Sequence, residues 1–391
     1  MNWHYRYTIL TLCTVAFFAT MVARLVVSPL VPAITDSFRI TNTVIGTALT
    51  GMWLTYALTQ FPSGILGDRY GERTIVLVAV GGTAVMSLAL AIAPVFWVFV
   101  VCIVLLGAVA GLHYSVATAL LTRTFKQRVG MAIGVHTIGS PAAGLFAPIA
   151  AAAVGTRYGW RAGVAVGAVV AAPVFVLFAW RVRETEPRRP EQPMAERFEF
   201  DVLAELLSRP PIAFTILIAA SCAFAWQGIA SFLPTFLVEH RGQSTTLAGI
   251  VFSSYFVVQA VTKPAVGSLS DSYGRDGVIV GCLVTTAIGL WAFIALPGLV
   301  AVAAAILLVG TGLGWAAAVE PRFMDELSER ERNAGFGLVR TVYLILGSIG
   351  SVAVGFFSDA FGWAASFGVL VALLSVVAAC IAANWAFDLG Y

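Results

Sequence analysis

GILGDRYGER, residues 64–73, packs three glycines and four charged side chains between two long apolar runs. Charges at that density cannot sit in hydrocarbon, so the stretch reads as a tight turn at a membrane surface, joining two spanning helices. GSLSDSYGRD, residues 267–276, repeats it 203 positions later, with Gly64 on Gly267, Asp68 on Asp271 and Gly71 on Gly274. One such loop is an ordinary polar turn. A matched pair half a chain apart marks two copies of one unit.

The composition agrees. Of 391 residues, 59% are hydrophobic and 11% charged, where a soluble domain carries about 25% charged residues. So few charges cannot cover a water-facing surface, and the chain reads as an all-α membrane protein. Twelve apolar runs reach the roughly 20 residues needed to cross a bilayer. In order they are 9–33, 44–66, 74–94, 97–121, 129–153, 161–181, 211–237, 246–268, 277–297, 299–320, 334–356 and 363–386, numbered spans 1 to 12. The first run is too long for a signal-peptide core and reads as an uncleaved helix. Arg6, Arg69, Arg73, Arg123, Lys126 and Arg128 fall on one side, against Arg39, Arg157 and Arg161 on the other. In the second half Arg275, Arg322, Arg330 and Arg332 match the first group and Arg241 the second. By the positive-inside rule the paired loops and both termini face the cytoplasm. The five cysteines are scattered singly, with neither disulfide nor metal-ligand spacing.

The repeat extends beyond the loops. Tyr158-Gly159-Trp160 matches Phe361-Gly362-Trp363, Gly107 and Gly111 match Gly310 and Gly314, and Ser28 and Leu30 match Ser231 and Leu233, all at the same offset. The expected architecture is two pseudo-symmetric six-helix bundles, residues 1–182 and 211–391. A charged, proline-bearing linker, 183–210, joins them, and its 194–210 stretch could lie as an amphipathic helix in the interface. Glycines four apart should let helices approach closely.

Gly64, Leu66, Asp68, Arg69, Gly71 and Arg73 match the pattern G-x-L-x-D-R-x-G-R-R, and the chain in this respect resembles the major facilitator superfamily. Glu72 departs from the pattern, as do Ser272 and Asp276 in the second copy. The resemblance implies two parallel repeats with a substrate site between them near the midplane. It also implies transport by alternating access, with the paired loops latching the cytoplasmic side. Asp68, Arg69, Arg73, Asp271, Arg275 and Glu320 are the gate residues on this reading.

Ionisable residues inside spans are costly, by about 2.5 to more than 10 kcal/mol at the centre, and so usually line wet cavities. Here they are mostly basic: Arg24 in span 1, His113 in span 4, His136 in span 5, Lys263 in span 8 and Arg340 in span 11. The acidic Glu320 ends span 10, next but one to Arg322. Arg24 has a structural alternative, bonding to helix carbonyls. For His113 and His136 the alternative is a packed neutral ring, and for Lys263 a gate role. Arg24 resembles the central span 1 arginine of the superfamily's organophosphate/phosphate antiporters, but their span 7 arginine is replaced by Gln227. Lys263 and Arg340 resemble the basic pair of its oxalate/formate antiporters. Cationic groups without a mid-membrane carboxylate call for an anion, and guanidinium binds carboxylate and phosphate bidentately. The expected substrate site comprises Arg24, His113, His136, Gln227, Lys263, Arg340 and Tyr343, with Trp53, Tyr56, Tyr114, Trp226 and Trp315 as an apolar wall.

The reading is a secondary transporter of a small organic anion, a mono- or dicarboxylate, working in the cell membrane as a monomer, by exchange or with a proton. With no Walker loop, neither ATP nor another cofactor is expected. No Ser/His/Asp or metal set at one depth suggests an enzyme, and a net charge of +3 gives no reason to expect nucleic acid. The alternative is export of an amphiphilic drug or metabolite. GVHTIGSPAAG, residues 134–144, loosely resembles the span 5 motif of the drug/proton antiporters, but their span 4 arginine is missing. A non-transporting sensor is the third reading.

Overall fold

The computed structural model describes residues 3–187, 205–328, 332–387 and 389, and every regular element there is helical. The first half comprises α1 (Trp3–Leu25), a 3-10 turn (Ser28–Leu30), α2 (Val31–Phe38), α3 (Asn42–Tyr70) and α4 (Glu72–Ala91). It continues with α5 (Phe96–Gly111), α6 (His113–Thr124), α7 (Val129–Thr137), α8 (Gly139–Tyr158) and α9 (Trp160–Arg181). The second half comprises α10 (Pro210–Glu239), α11 (Thr245–Tyr273), α12 (Arg275–Ala295), α13 (Leu299–Gly312), α14 (Ala316–Glu326), α15 (Arg332–Phe361) and α16 (Trp363–Ala386). Among the described residues, eleven segments are long and apolar enough to cross a bilayer. The 29 residues of α3 add a helix about 43 Å long, enough for the twelfth crossing. Most of the 183–210 linker, with the amphipathic stretch expected of it, lies outside the described residues, as does Arg330.

Several spans depart from the straight runs expected. Span 1 reaches Tyr5–Phe38 and is interrupted at Ser28–Leu30, where Pro29 and Pro32 remove backbone donors. Span 4 breaks at Leu112, between α5 and α6, and span 5 at Ile138, between α7 and α8. Span 10 breaks over Leu313–Trp315, between α13 and α14. At each break the chain tightens to a bond across three residues: Leu30 to Val27, Leu112 to Val109, Ile138 to Val135, Gly314 to Thr311. Such 3-10 tightening inside a helix accompanies hinges and sites. Span 11, expected to end at 356, continues helical to Phe361.

By internal contacts the chain divides into two units, Met1–Arg39 with Gly51–Phe198, and Ile40–Thr50 with Glu199–Tyr391. In the first, α4 packs on α5 and α9, and α1 on α8; in the second, α12 packs on α13 and α16, and α10 on α15. The same pairs of spans meet in both, which is the repeat expressed as packing. Residues 40–50 group with the second unit because Asp359 holds the start of α3. Its carboxylate accepts from the Asn42 and Thr43 N–H groups at 3.1 and 2.7 Å and from the Thr43 hydroxyl at 2.6 Å.

The repeat is also written in the backbone. Gly71, Gly159, Gly274 and Gly362 each form a one-residue joint between helices, with φ of 85°, 87°, 90° and 82°. Glycine reaches that region without steric cost, and other residues do not.

Gly107 and Gly111 confirm the expected close approach. A Cβ at Gly107 would lie 2.0 Å from the Met52 carbonyl oxygen, and one at Gly111 2.4 Å from that of Tyr56. Span 4 therefore lies directly on the backbone of α3. We expect Gly111→Leu to destabilise the protein by at least about 2 kcal/mol, read as a lower melting midpoint in detergent. An unchanged midpoint would mean that this contact is dispensable.

Candidate functional site

In the first unit the deep basic residues stand at the breaks in their spans. Arg24 lies in the last turn of α1, His113 opens α6, and His136 lies next to last in α7. Their three helices pack on one another. At the end of α1 the Arg24 charge meets the partial negative charge of unpaired carbonyls. Arg24 is 2% exposed. Its Nε donates to the Thr20 carbonyl at 3.2 Å and an Nη contacts the Met21 sulfur at 2.6 Å. Its guanidinium carbon sits 3.9 Å from the centroid of Tyr56 and 5.3 Å from that of Trp53. A dry cation over two aromatic faces gains about 2 kcal/mol or more. The Tyr56 side chain is within hydrogen-bond reach of the guanidinium, Nη1 meets strict hydrogen-bond geometry with no described residue, and no carboxylate pairs with Arg24 among the described residues. Four contacts, to the Thr20 carbonyl, Met21, Tyr56 and Trp53, hold the side chain.

His113 and His136 are fully buried, with ring centroids 5.5 Å apart. Phe17 lies 5.9 Å from His113, nearly parallel, and 5.1 Å from His136, and Tyr114 lies 6.0 Å from His136. The Cys13 carbonyl is beside both rings. None of the four ring nitrogens meets hydrogen-bond geometry with a described residue. The Cys13 carbonyl is the backbone group that the packed-histidine alternative calls for. Arg24 lies close enough to His113 to act on it electrostatically. Gln60, one turn beyond Tyr56, adds a buried amide nitrogen with no partner among the described residues. Its polarity in an apolar span was the available signal.

The second unit holds the remaining candidates. Gln227 is 1% exposed and donates to the Leu344 carbonyl at 3.4 Å. Tyr343 is buried, stacked at 6.2 Å on Phe323 and edge-on to Trp315. Arg340 is half-buried, three residues earlier on α15, and Lys263 is exposed on α11. A polar chain that the sequence reading missed runs beside them. The Tyr255 hydroxyl accepts from Trp226 Nε1 at 2.8 Å and Gln259 Nε2 at 2.9 Å, and Gln259 also donates to the Leu313 carbonyl, at the break in span 10.

The paired loops anchor helix ends within their own units. Arg73 donates to the Val182 and Ala179 carbonyls at 2.6 and 2.7 Å, capping α9. Glu72, the departure from the family pattern, is buried and pairs with Arg123 at 3.4 Å. Its counterpart Arg275 pairs with Asp325 at 3.1 Å and with Asp271, so the same helix ends are tied with reversed sign. Arg69 lies over Tyr70. Asp68 and Glu320 are half-buried and make no ion pair among the described residues.

Twelve crossings in two like units, with charges gathered at helix breaks, describe a multi-pass transporter. The chain belongs to the Major Facilitator Superfamily, whose sequence profile matches residues 12–254 and again 217–388. Among curated relatives, it is 24% identical over 288 residues to multidrug resistance protein MdtG of Enterobacter lignolyticus, covering 70% of this chain and 67% of that one. The MdtG of Citrobacter koseri is also 24% identical, over 290 residues, covering 70% and 69%. Among solved structures, a bacterial homologue of the human lysosomal transporter Spinster superposes with a TM-score of 0.82 at 19% identity, covering 97% of both chains. The nucleoside transporter NupG gives 0.83 at 12%, covering 97% of this chain and 99% of its own.

Proposed function

We propose that the protein carries a small organic anion, a carboxylate with an apolar body, across the cell membrane, by exchange or coupled to a proton. The carrying observation is Arg24: a buried guanidinium with no carboxylate partner among the described residues. A carboxylate would meet the guanidinium, and Tyr56 and Trp53 would bracket the organic part. The histidine pair is the proposed proton site, because imidazole titrates near neutral pH. Gln227, Lys263, Arg340 and Tyr343 are proposed as substrate contacts within the second unit. The test is counterflow in proteoliposomes with labelled carboxylates and labelled cationic dyes. Accelerated exchange of carboxylates alone is expected; exchange of the dyes alone would overturn the reading.

A second reading, export of an amphiphilic drug or metabolite, is favoured by the name of the MdtG relatives. Permanent cations would be disfavoured by Arg24, so on this reading the cargo is neutral or anionic.

For the loops we infer a gate role. Asp68 is half-buried without an ion pair among the described residues, which suits a carboxylate that bonds in another conformation. Asp68→Asn should slow turnover several-fold with much less change in substrate affinity, since an equilibrium moves by the differential stabilisation lost. Spin-label distances across the cytoplasmic loops check it. Slowed transport with unchanged distance distributions would assign Asp68 to folding instead.

A further inference from the structure

The break in span 10 takes the backbone donor away from one carbonyl. Gly314, Trp315, Ala317 and Ala318 each bond across three residues, to Thr311, Gly312, Gly314 and Trp315, at 3.1, 3.2, 3.0 and 2.9 Å. In a continuous α-helix the Ala317 N–H would reach the Leu313 carbonyl; here it is spent on Gly314. Leu313 is 2% exposed, and an unpaired carbonyl at that depth is costly.

Gln259 of α11 supplies the missing donor. Its Nε2 donates to the Leu313 carbonyl at 2.7 Å and to the Tyr255 hydroxyl at 2.9 Å. A carbonyl only accepts, which fixes the end of the amide that faces it, and both Nε2 hydrogens are then in use. No other bond reaches the Leu313 carbonyl among the described residues.

The break sets the direction of α14. Three residues, 313–315, taken at 3-10 rather than α pitch turn the helix that follows by about 60° and advance it by about 1.5 Å. Trp315 at the break and Phe323 on α14 both meet Tyr343 at 6.2 Å, the first edge-on and the second stacked. Span 10 thus has two available forms. In the broken one Gln259 holds the Leu313 carbonyl; in the continuous one Ala317 would hold it.

We propose that Gln259 is a positioning residue for transport: its amide keeps span 10 broken, and so keeps Trp315 and Phe323 against Tyr343. The link to cargo rests on the substrate contact proposed above for Tyr343; the hold on the break does not.

The test reads the break directly. A Cβ at Gly267, on α11, would lie 3.8 Å from that of Ala317, within the roughly 3.5–4.5 Å that a disulfide needs. Turning α14 would carry residue 317 out of reach. The full chain bearing Gly267→Cys and Ala317→Cys should therefore cross-link under a mild oxidant, read by mass spectrometry of the linked peptides. Adding Gln259→Met should slow cross-linking about tenfold, because the broken form then leaves a buried carbonyl unpaired. Gln259→Asn, whose amide falls one methylene short, should do the same. Tyr255→Phe disturbs the same cluster but spares the bond to Leu313, so cross-linking should keep its rate. In proteoliposomes with labelled benzoate, Gln259→Met should raise the half-saturating concentration about fivefold, the worth of one hydrogen bond. In a Tyr343→Leu background it should raise it no further. Unchanged cross-linking in both Gln259 variants, equal slowing in Tyr255→Phe, or simple addition of the Gln259→Met and Tyr343→Leu effects would each overturn the proposal. A wild type that carries no carboxylate would sink the anion reading alone, and cross-linking would still decide the hold on the break.

Discussion

Replacing Arg24 by glutamine is expected to lower carboxylate transport by roughly two orders of magnitude while leaving a folded protein in the membrane. Losing one partner of a desolvated, hydrogen-bonded charge pair costs about 2–5 kcal/mol, and about 3 kcal/mol is roughly 150-fold. Folding should survive, because the Thr20 carbonyl, Met21, Tyr56 and Trp53 around Arg24 can receive an amide of similar length. Arg24→Lys should fall between the two, since it keeps the charge and loses the planar fork. Uptake and tracer binding in proteoliposomes measure the effect, with size-exclusion profiles reporting the fold. Wild-type transport by Arg24→Gln would remove the anion site from Arg24.

The second large effect belongs to the histidine pair. If one proton moves with each substrate, one pH unit supports about tenfold accumulation. Proton and substrate travelling together gather substrate on the alkaline side; travelling oppositely, they gather it on the acidic side. In the double variant His113→Gln, His136→Gln, accumulation should vanish in either case while exchange at equal pH persists. Two imidazolium charges at the 5.5 Å ring separation would repel by about 3 kcal/mol at an effective dielectric of 20, so the two rings would not be charged together. The Arg24 charge acts on the same site, and an anion bound there offsets it, which makes proton and anion favour each other's binding. Accumulation that survives in the double variant would place the coupling elsewhere.

The fold was legible because its signals are local. Apolar runs of span length, a charged turn repeated at one offset, and glycines at matching positions need no knowledge of distant contacts. The breaks in spans 4 and 5 were not legible. Leu112 and Ile138 are apolar residues in apolar runs, and a single tightened turn leaves hydropathy unchanged. Pro29 and Pro32 were an available signal of the break in span 1, and the sequence reading of a continuous run over 9–33 left it unused. The partners of Arg73, the carbonyls of Ala179 and Val182, carry no side-chain signature and so could not be read from the sequence. Asp359 was missed for a similar reason: it bonds the backbone of Asn42 and Thr43, more than 300 residues earlier. The basic residues in the spans could be picked out singly, but their meeting at helix breaks comes from packing alone.

The one-residue joints at Gly71, Gly159, Gly274 and Gly362 bear on how the chain is made. A single residue leaves no length in which one helix can wait in water while its successor is synthesised. α3 with α4, α8 with α9, α11 with α12, and α15 with α16 must therefore enter the bilayer as hairpins, each pair committed together. Bulk at Gly71 strains the joint itself, at a φ of 85°, before the rest of its unit has formed, and it would later meet the Thr185 carbonyl oxygen at 2.5 Å. Damage at these joints should accordingly surface during biogenesis, as chains cleared by membrane quality control, with the few molecules that do insert transporting at the ordinary rate.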